Sequence, residues 1–311
     1  MHFANAFAHA GVFSQITGRK KMKEKIILIT GATSGIGKQT ALTLAKMGAQ
    51  IIVTGRSEKS GLEAVDEIKR SSGNTAVDLL LADLSKQADI KSLAVQVKEK
   101  YDRLDVLINN AGLAASSRQI TEEGVESNFA VNVVGPFLLT HLLLPSLQAS
   151  QSARVVTLMG GDVPNKLETD NLQGELNFDG LNSYSQSKLA MMTVMHEFSQ
   201  SMRGSKITMN ICYPGQASMN MTRSVTPEML PKSMRWIFPI FKLMTRPDNG
   251  KSAAKASRSS VYLASSKEVE GVTGKYFDPK CKETAMPAVV FDAEIRKKLW
   301  ALVHQLSGVQ A

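Results

Sequence analysis

Short runs in which nearly every residue is apolar recur along this chain, each followed by a helical pattern. The first is Ile26-Ile27-Leu28-Ile29-Thr30, and it leads at once into glycine turns and an amphipathic stretch from Thr40 to Met47 that ends at Gly48. A strand can be apolar at successive positions only if both faces of its sheet are covered, the condition of a parallel sheet with helices on either side. Further strands are expected at Gln50–Thr54, Ala76–Leu81, Val106–Asn109, Arg154–Met159 and Ile207–Tyr213. A helical stretch from Ser57 to Lys69 closes at Ser71-Ser72-Gly73. This alternation predicts an α/β fold, a doubly wound parallel sheet of Rossmann-like form flanked by helices.

We place that fold in one domain over residues 23–311, with residues 1–22 as an N-terminal extension outside the fold argument. His2 to Ala8 is small and apolar but has no positive run before it, which argues against a secretory signal. Disorder, or an organelle-targeting or anchoring role, stays open for the extension. One internal segment also breaks the rhythm. Residues 217–247 hold Met219, Met221, Met229, Met234, Trp236, Phe238, Phe241 and Met244, punctuated by Pro227, Pro231 and Pro239. We expect an expanded helical lid rich in Met and aromatics, either packed on the core or mobile over an apolar substrate.

Composition removes several classes of function. With 43% hydrophobic and 21% charged residues the 311-residue chain is built to fold, not to stay disordered. Its two cysteines, Cys212 and Cys281, exclude a disulfide scaffold and a multi-cysteine zinc site, and no metal is expected. His141 and His196 lack ligand spacing. No apolar run nears the roughly 20 residues that span a bilayer, so a cytoplasmic protein is expected, with a membrane-associated position left open. The lid is too short and broken to span, but peripheral membrane contact remains open. The formal charge of +9 sits partly in Gly18-Arg19-Lys20-Lys21-Met22-Lys23-Glu24-Lys25 and is otherwise dispersed. Aromatics at 6% do not interleave with basic residues, which argues against nucleic acid. An anionic cofactor fits the excess.

Such a cofactor has a natural seat. Thr30-Gly31-Ala32-Thr33-Ser34-Gly35-Ile36-Gly37 follows a strand and opens a helix. Glycines at 31, 35 and 37 permit tight turning and close backbone approach to a pyrophosphate, whose charge meets the helix N-terminal amides. Thr33, Ser34 and Ile36 lie on the same turn. At the end of the second strand a ribose 2′-hydroxyl is usually held by Asp or Glu, and a 2′-phosphate by a cation. Here the chain has Gly55-Arg56. That favours NADP(H), with Arg56 on the phosphate.

Four signatures now stand in order: the glycine turn, Asn109-Asn110-Ala111-Gly112, Tyr184-Ser185-Gln186-Ser187-Lys188 and Pro214-Gly215, with Asp83-Leu84 after the third strand. In this the chain resembles the short-chain dehydrogenase/reductase family over roughly residues 25–305. The stretches Ser260-Val261-Tyr262-Leu263-Ala264 and Glu270-Gly271-Val272-Thr273-Gly274-Lys275-Tyr276-Phe277 look like its retinol-dehydrogenase-like branch. The resemblance implies a small lipophilic alcohol or carbonyl as substrate, usually with NADP(H), and it admits a homo-oligomer. It also implies that Asn109, Ala111 and Gly112 line the cofactor, that Asp83 and Leu84 face the adenine, and that Pro214, Gly215 and Ala217 lie beside the nicotinamide. Asn132 matches the family's active-site asparagine.

Tyr184 and Lys188, four residues apart, fall on one helix face. A free tyrosine titrates near 10, too high for ready proton exchange at neutral pH, and a nearby ammonium favours the phenolate. We therefore expect Tyr184 as general acid/base, Lys188 as its support and a ribose ligand, and Asn132 holding a water for proton relay. The main departure lies in Arg154-Val155-Val156-Thr157-Leu158-Met159-Gly160-Gly161-Asp162, where Gly160 stands at the position of the family's active-site serine. Loss of such a donor costs about 10²–10³ in rate. Asp162, Thr157, Ser183 or a water could substitute. Otherwise the chain is an atypical reductase of a conjugated double bond, or a catalytically impaired NADP(H)-binding regulatory or scaffold protein. Gly160, Gly161, Asp162, Met219 and Trp236 are the candidate substrate-lining residues, Met219 standing where the family usually has threonine. Cys212 reads as buried packing, and Cys281, between Lys280 and Lys282, as a thiol whose ionisation could be favoured.

Overall fold

The first apolar run forms β1 (Ile26–Thr30), every residue of it buried, between β2 (Gln50–Gly55) and β4 (Val106–Asn109). The structure, a computed structural model, describes residues 22–160, 163–215, 236, 238 and 250–310. β3 (Val77–Leu81), β5 (Ala153–Leu158) and β6 (Ile207–Cys212) complete the run of six strands, each bounded within a residue of the sequence expectation. A short pair that the sequence analysis did not anticipate, β7 (Tyr276–Phe277) and β8 (Glu283–Thr284), extends one edge. The sheet order is β3-β2-β1-β4-β5-β6-β7-β8, parallel except for the last pairing.

Helices cover both faces, as the apolar strands require. On one face lie α1 (Gly35–Lys46) and α2 (Glu58–Ser72), with α7 (Lys251–Ala256) and α8 (Arg258–Ser265). On the other lie α3 (Gln87–Lys100), α4 (Gly135–Leu142), α6 (Gly180–Ser201) and α9 (Ala293–Ser307), with the short α5 (Leu144–Gln148) between α4 and β5. Local chemistry explains the ends. The Ser57 hydroxyl accepts from the Ser60 amide ahead of α2, and Gly73, at φ 69°, closes it in the left-handed region. α1 begins five residues before its apolar periodicity, because the glycine turn runs straight into the helix.

α9 seals the second face by an aromatic cluster. Phe137 of α4 lies 5.6 Å from Phe198 of α6 and 5.4 Å from Trp300 of α9, ring centre to ring centre. Within this frame the strand order reverses between β1 and β4, which opens a crevice at the carboxyl ends of the strands. Among the described residues no helix is long and apolar enough to cross a membrane, and no group of three metal-ligating side chains gathers.

Candidate active site

The glycine turn sits at the mouth of that crevice and is held from behind by β4. Asn110 donates from Nδ2 to the carbonyls of Thr30 (2.7 Å) and Gly31 (3.1 Å). The Thr30 hydroxyl accepts from the amides of Asn110 and Ala111, both at 3.0 Å. Gly31 (φ 63°) and Gly35 (φ 55°) occupy the left-handed region. A Cβ on Gly37 would overlap the Gly31 carbonyl and the Asn110 amide. Ser34, the N-cap of α1, makes no side-chain bond to the first-turn amides. That leaves them to an anion, as a pyrophosphate site requires. At the end of β2 a Cβ on Gly55 would press on the Thr33 methyl, and Arg56 is exposed just beyond, with no carboxylate at the strand end.

Asp83 is shaped by its own loop: its Oδ1 accepts from the amide and hydroxyl of Ser85. Leu84 is buried, and its carbonyl comes so close to Gly135 that a Cβ there would lie 3.3 Å away. Asn109 donates to the Thr140 hydroxyl at 3.2 Å, while its own Oδ1 is buried without a partner. Its register partner across the β4–β5 ladder is Thr157, whose buried hydroxyl also lacks one.

Asn132 lies in a π-helical segment, Ala130–Val134, that leads into α4. Its Oδ1 accepts from the Leu113 amide at 2.9 Å, and its Nδ2 donates to the Leu113 carbonyl (2.8 Å) and the Ser187 hydroxyl (2.9 Å). Both side-chain protons are thus spent, and the side chain stitches the loop after β4 to α6. Ser187 passes the link on by donating to the Tyr184 carbonyl at 2.7 Å. Asn128 repeats the device one turn earlier, accepting from the Ala115 amide and donating to the Ser183 hydroxyl.

Tyr184 (8% exposed) and Lys188 (4% exposed) lie inside this frame on one face of α6, whose first turn is capped by Asp179. The Lys188 ammonium is 5.9 Å from the Tyr184 ring centre and donates, at 3.4 Å, to the Leu158 carbonyl. Burial pushes Lys188 down to about 8. It pushes Tyr184 up to about 12, with the nearby Tyr213 adding to the rise. The expected lowering of the phenol by the ammonium is therefore reversed in the protein alone. Desolvation of a buried phenol outweighs a cation that does not hydrogen-bond to it.

Gly160 faces the same hydroxyl. A Cβ added there would overlap the Tyr184 hydroxyl oxygen, so the bare backbone at 160 is where the phenol tip rests. Of the groups weighed as substitutes for a side-chain donor at 160, Thr157 is fully buried and Ser183 accepts from Asn128. Gly161, Asp162, Ala217 and Met219 lie outside the described residues, as does most of the expected lid. Trp236 is described and is 75% exposed, not enclosed against substrate. Pro214 follows β6, and Gly215 (φ 81°) turns against Pro279 of the β7–β8 hairpin. The Cys281 thiol is pushed up to about 11 by burial and then Asp278, against an opposing pull from Arg258, so its ionisation is not favoured. Cys212 is buried packing, as expected.

The residues present fit a dinucleotide. The turn excludes side chains, the amides of α1 are uncapped, and Asn109 and Thr157 hold orphaned polar atoms near a lysine with one long bond. Sequence reasoning named most of this set but passed over Asn110, Asn128, Ser187 and Tyr213. Asn110 and Ser187 lay inside motifs already read. Asn128 and Tyr213 carried no signal of their own, since contacts between distant segments assign their parts.

Comparison with known proteins agrees with this geometry. The sequence matches the short chain dehydrogenase family over residues 25–230. It is 35% identical to retinol dehydrogenase 13 of Homo sapiens over 297 residues, covering 92% of this chain and 86% of that one. Polyprenol dehydrogenase of Homo sapiens is 32% identical over 295 residues, covering 92% and 86%. Among solved structures, an uncharacterised protein of Mycobacterium paratuberculosis superposes with a TM-score of 0.72 at 25% identity, covering 94% of this chain and 96% of that one. A short chain dehydrogenase of Shigella flexneri complexed with NADP shares the fold, with a TM-score of 0.63 at 23% identity, covering 84% and 99%.

Proposed function

The chain belongs to the short-chain dehydrogenase family, and on that premise we propose that it is an NADP(H)-dependent oxidoreductase of lipophilic carbonyls or alcohols. The observation that carries this is Tyr184 and Lys188, buried on one helix face of a fold whose first turn excludes side chains and leaves the N-cap of α1 without a side-chain bond. NADPH, when bound, supplies hydride at its nicotinamide C4. Tyr184 supplies the proton to the carbonyl oxygen, or accepts it in the reverse direction. Lys188 gives the cofactor ribose the hydrogen bonds its own surroundings leave unmade, and its charge then holds the phenol nearer the working range. Asn132 and Ser187 keep α6 in register with the loop after β4, so the phenol meets the substrate without searching.

Arg56 and the lack of a carboxylate at the end of β2 support NADP(H) over NAD(H). A lipophilic substrate is supported by relatives that are retinol and polyprenol dehydrogenases, and by the apolar makeup of residues 217–247. The glycine at 160, read as the place of the family's serine, keeps a second reading alive, an enone reductase or a binding protein without turnover. The test mixes purified protein with NADPH and a panel of hydrophobic aldehydes, ketones and enones while nicotinamide absorbance is followed. Aldehyde or ketone turnover that Tyr184→Phe abolishes, with NADPH affinity retained, is the expected result. Tight NADPH binding with no turnover of any compound would favour the binding protein, and activity confined to enones the atypical reductase.

A further inference from the structure

Three of the five histidines, His141, His196 and His304, lie among the described residues, and all three line one seam, where residues 288–307 dock on α4 and α6. His141 of α4 and His304 of α9 face each other across it, ring centres 6.2 Å apart and close to perpendicular at 88°. His304 also stands edge-on to Phe137 at 5.0 Å and lies 4.9 Å from Trp300. Further along the seam, His196 of α6 meets Phe291 at 5.1 Å, in the short helical turn Ala288–Phe291 that precedes α9. Beside it runs the Arg296–Glu197 ion pair.

We propose that this seam is an acid-sensitive latch: a proton taken up by its histidines releases α9 and so loosens α6, the helix that carries Tyr184 and Lys188. The inference stands apart from the redox reading, because it concerns only how α6 is held. His304 Nδ1 lies 3.2 Å from the Val309 carbonyl, which can only accept, so Nδ1 carries the proton of the neutral ring and Nε2 is where a second proton would go. That Nε2 is buried without a partner, and so is Nδ1 of His196. Both rings are 8% exposed. A positive charge on either is therefore enclosed with no acceptor at the nitrogen that gains it, an arrangement that favours the open seam.

The neighbouring elements do little to offset that charge. α4 has no titratable side chain besides His141. On α3, Lys91, Lys98, Glu99 and Lys100 are exposed and Asp89 accepts from the Asp83 amide. On α9, Glu294, Lys297 and Lys298 are exposed, and α6 turns Glu197 to Arg296. Burial, then His304, holds His141 below its ordinary 6.5. Burial, then Arg296, with Arg203 adding, does the same to His196 against a weaker pull from Glu197 and the Gly274 backbone. As pH falls through about 6.5 the unfolded chain takes up these protons before the folded one, so the seam loses stability below that value and is closed above it. The buried carboxylates held low, Asp78 and Asp105, titrate below 3.8 and do not act in this window.

The experiment follows hydrogen exchange of the full-length protein at pH 7 and pH 5.5, with rates corrected for the intrinsic pH dependence of exchange. Beside it runs a His141→Phe/His304→Phe double variant, which keeps the ring packing and takes up no proton there. In the parent, exchange in α9 and α6 should rise at least about threefold at pH 5.5 while β1 to β3 keep their protection, and the rise should reverse on return to pH 7. The double variant should lose most of that rise. A parent whose α9 exchanges alike at both pH values overturns the proposal without any variant, and a folded double variant that keeps the whole rise overturns it too. Loss of protection spread evenly over β1 to β3 would mean general acid unfolding, and would also sink the latch. None of these readings needs turnover, so the proposal stands or falls separately from the redox assignment.

Discussion

Lys188 is buried on α6 with one long hydrogen bond to a β5 carbonyl, an arrangement that costs stability. Its native value of about 8 lies below its ordinary 10.5, so the unfolded chain binds the proton more tightly than the folded one. Below about pH 8 the full cost is present, on the order of 3 kcal/mol. Between about 8 and 10.5 the folded state sheds the proton first and becomes steadily more stable. Lys188→Met should therefore stabilise the cofactor-free protein to urea at pH 7 by up to that amount, and its stability should lack the rise toward pH 10. It should also bind NADPH more weakly. A parent protein whose urea midpoint is flat over that pH range would contradict the assignment. The sequence revealed this residue through its spacing from Tyr184. It did not reveal that burial would set both titrations, since desolvation depends on what the rest of the chain places around them.

At the level of the element, the glycine turn and β4 act as one unit. The turn's carbonyls at Thr30 and Gly31 are held by Asn110, and its Ala32 amide donates to the Thr54 carbonyl at 3.1 Å, so its shape exists before any ligand arrives. Gly37→Ala places a methyl against the Gly31 carbonyl, which must then move. Overpacking of this kind costs about 1–3 kcal/mol. The unfolding midpoint should fall accordingly, and NADPH affinity should drop by at least about tenfold in a fluorescence titration run well below that midpoint; an unchanged affinity would show that the turn does not carry the phosphates. Elements of this sort were legible where pattern and length agreed. β1 through β6 are long enough to declare an all-apolar run. β7 and β8, two residues each, are too short to show any period, and the π-helical Ala130–Val134 reads locally as ordinary helix. The start of α1 was hidden because glycines carry no amphipathic signal.

Across the whole molecule, α6, which carries Tyr184 and Lys188, is held from the far side. α9 packs on α6 through Trp300 against Phe137 and Phe198, and Arg296 pairs with Glu197 at 2.9 Å. The Gln87 amide at the start of α3 donates to the Leu306 carbonyl at 2.6 Å, tying the end of α9 to the sheet's other half. Phe137 is fully buried at the centre of this cluster. Phe137→Ala should cost about 3–5 kcal/mol of unfolding free energy and loosen α6 before it loosens β1 to β3. Hydrogen exchange would read the order: faster exchange in α6 and α9 with β1 protection retained is expected, and uniform loss across the sheet would argue against a distinct closing unit.

By itself the amino-acid order determined the parallel sheet, the glycine turn between β1 and α1 and the Tyr184–Lys188 pair, because each depends on residues close together in the chain. Periodicity and short spacings are local properties, and local sterics and burial act on them directly. Only the tertiary structure decided that the Tyr184 hydroxyl would rest on Gly160 and that Asn132 would spend its side chain as a stitch. Those meetings come from strand register and helix docking between segments dozens of residues apart, and no short stretch of sequence carries that information.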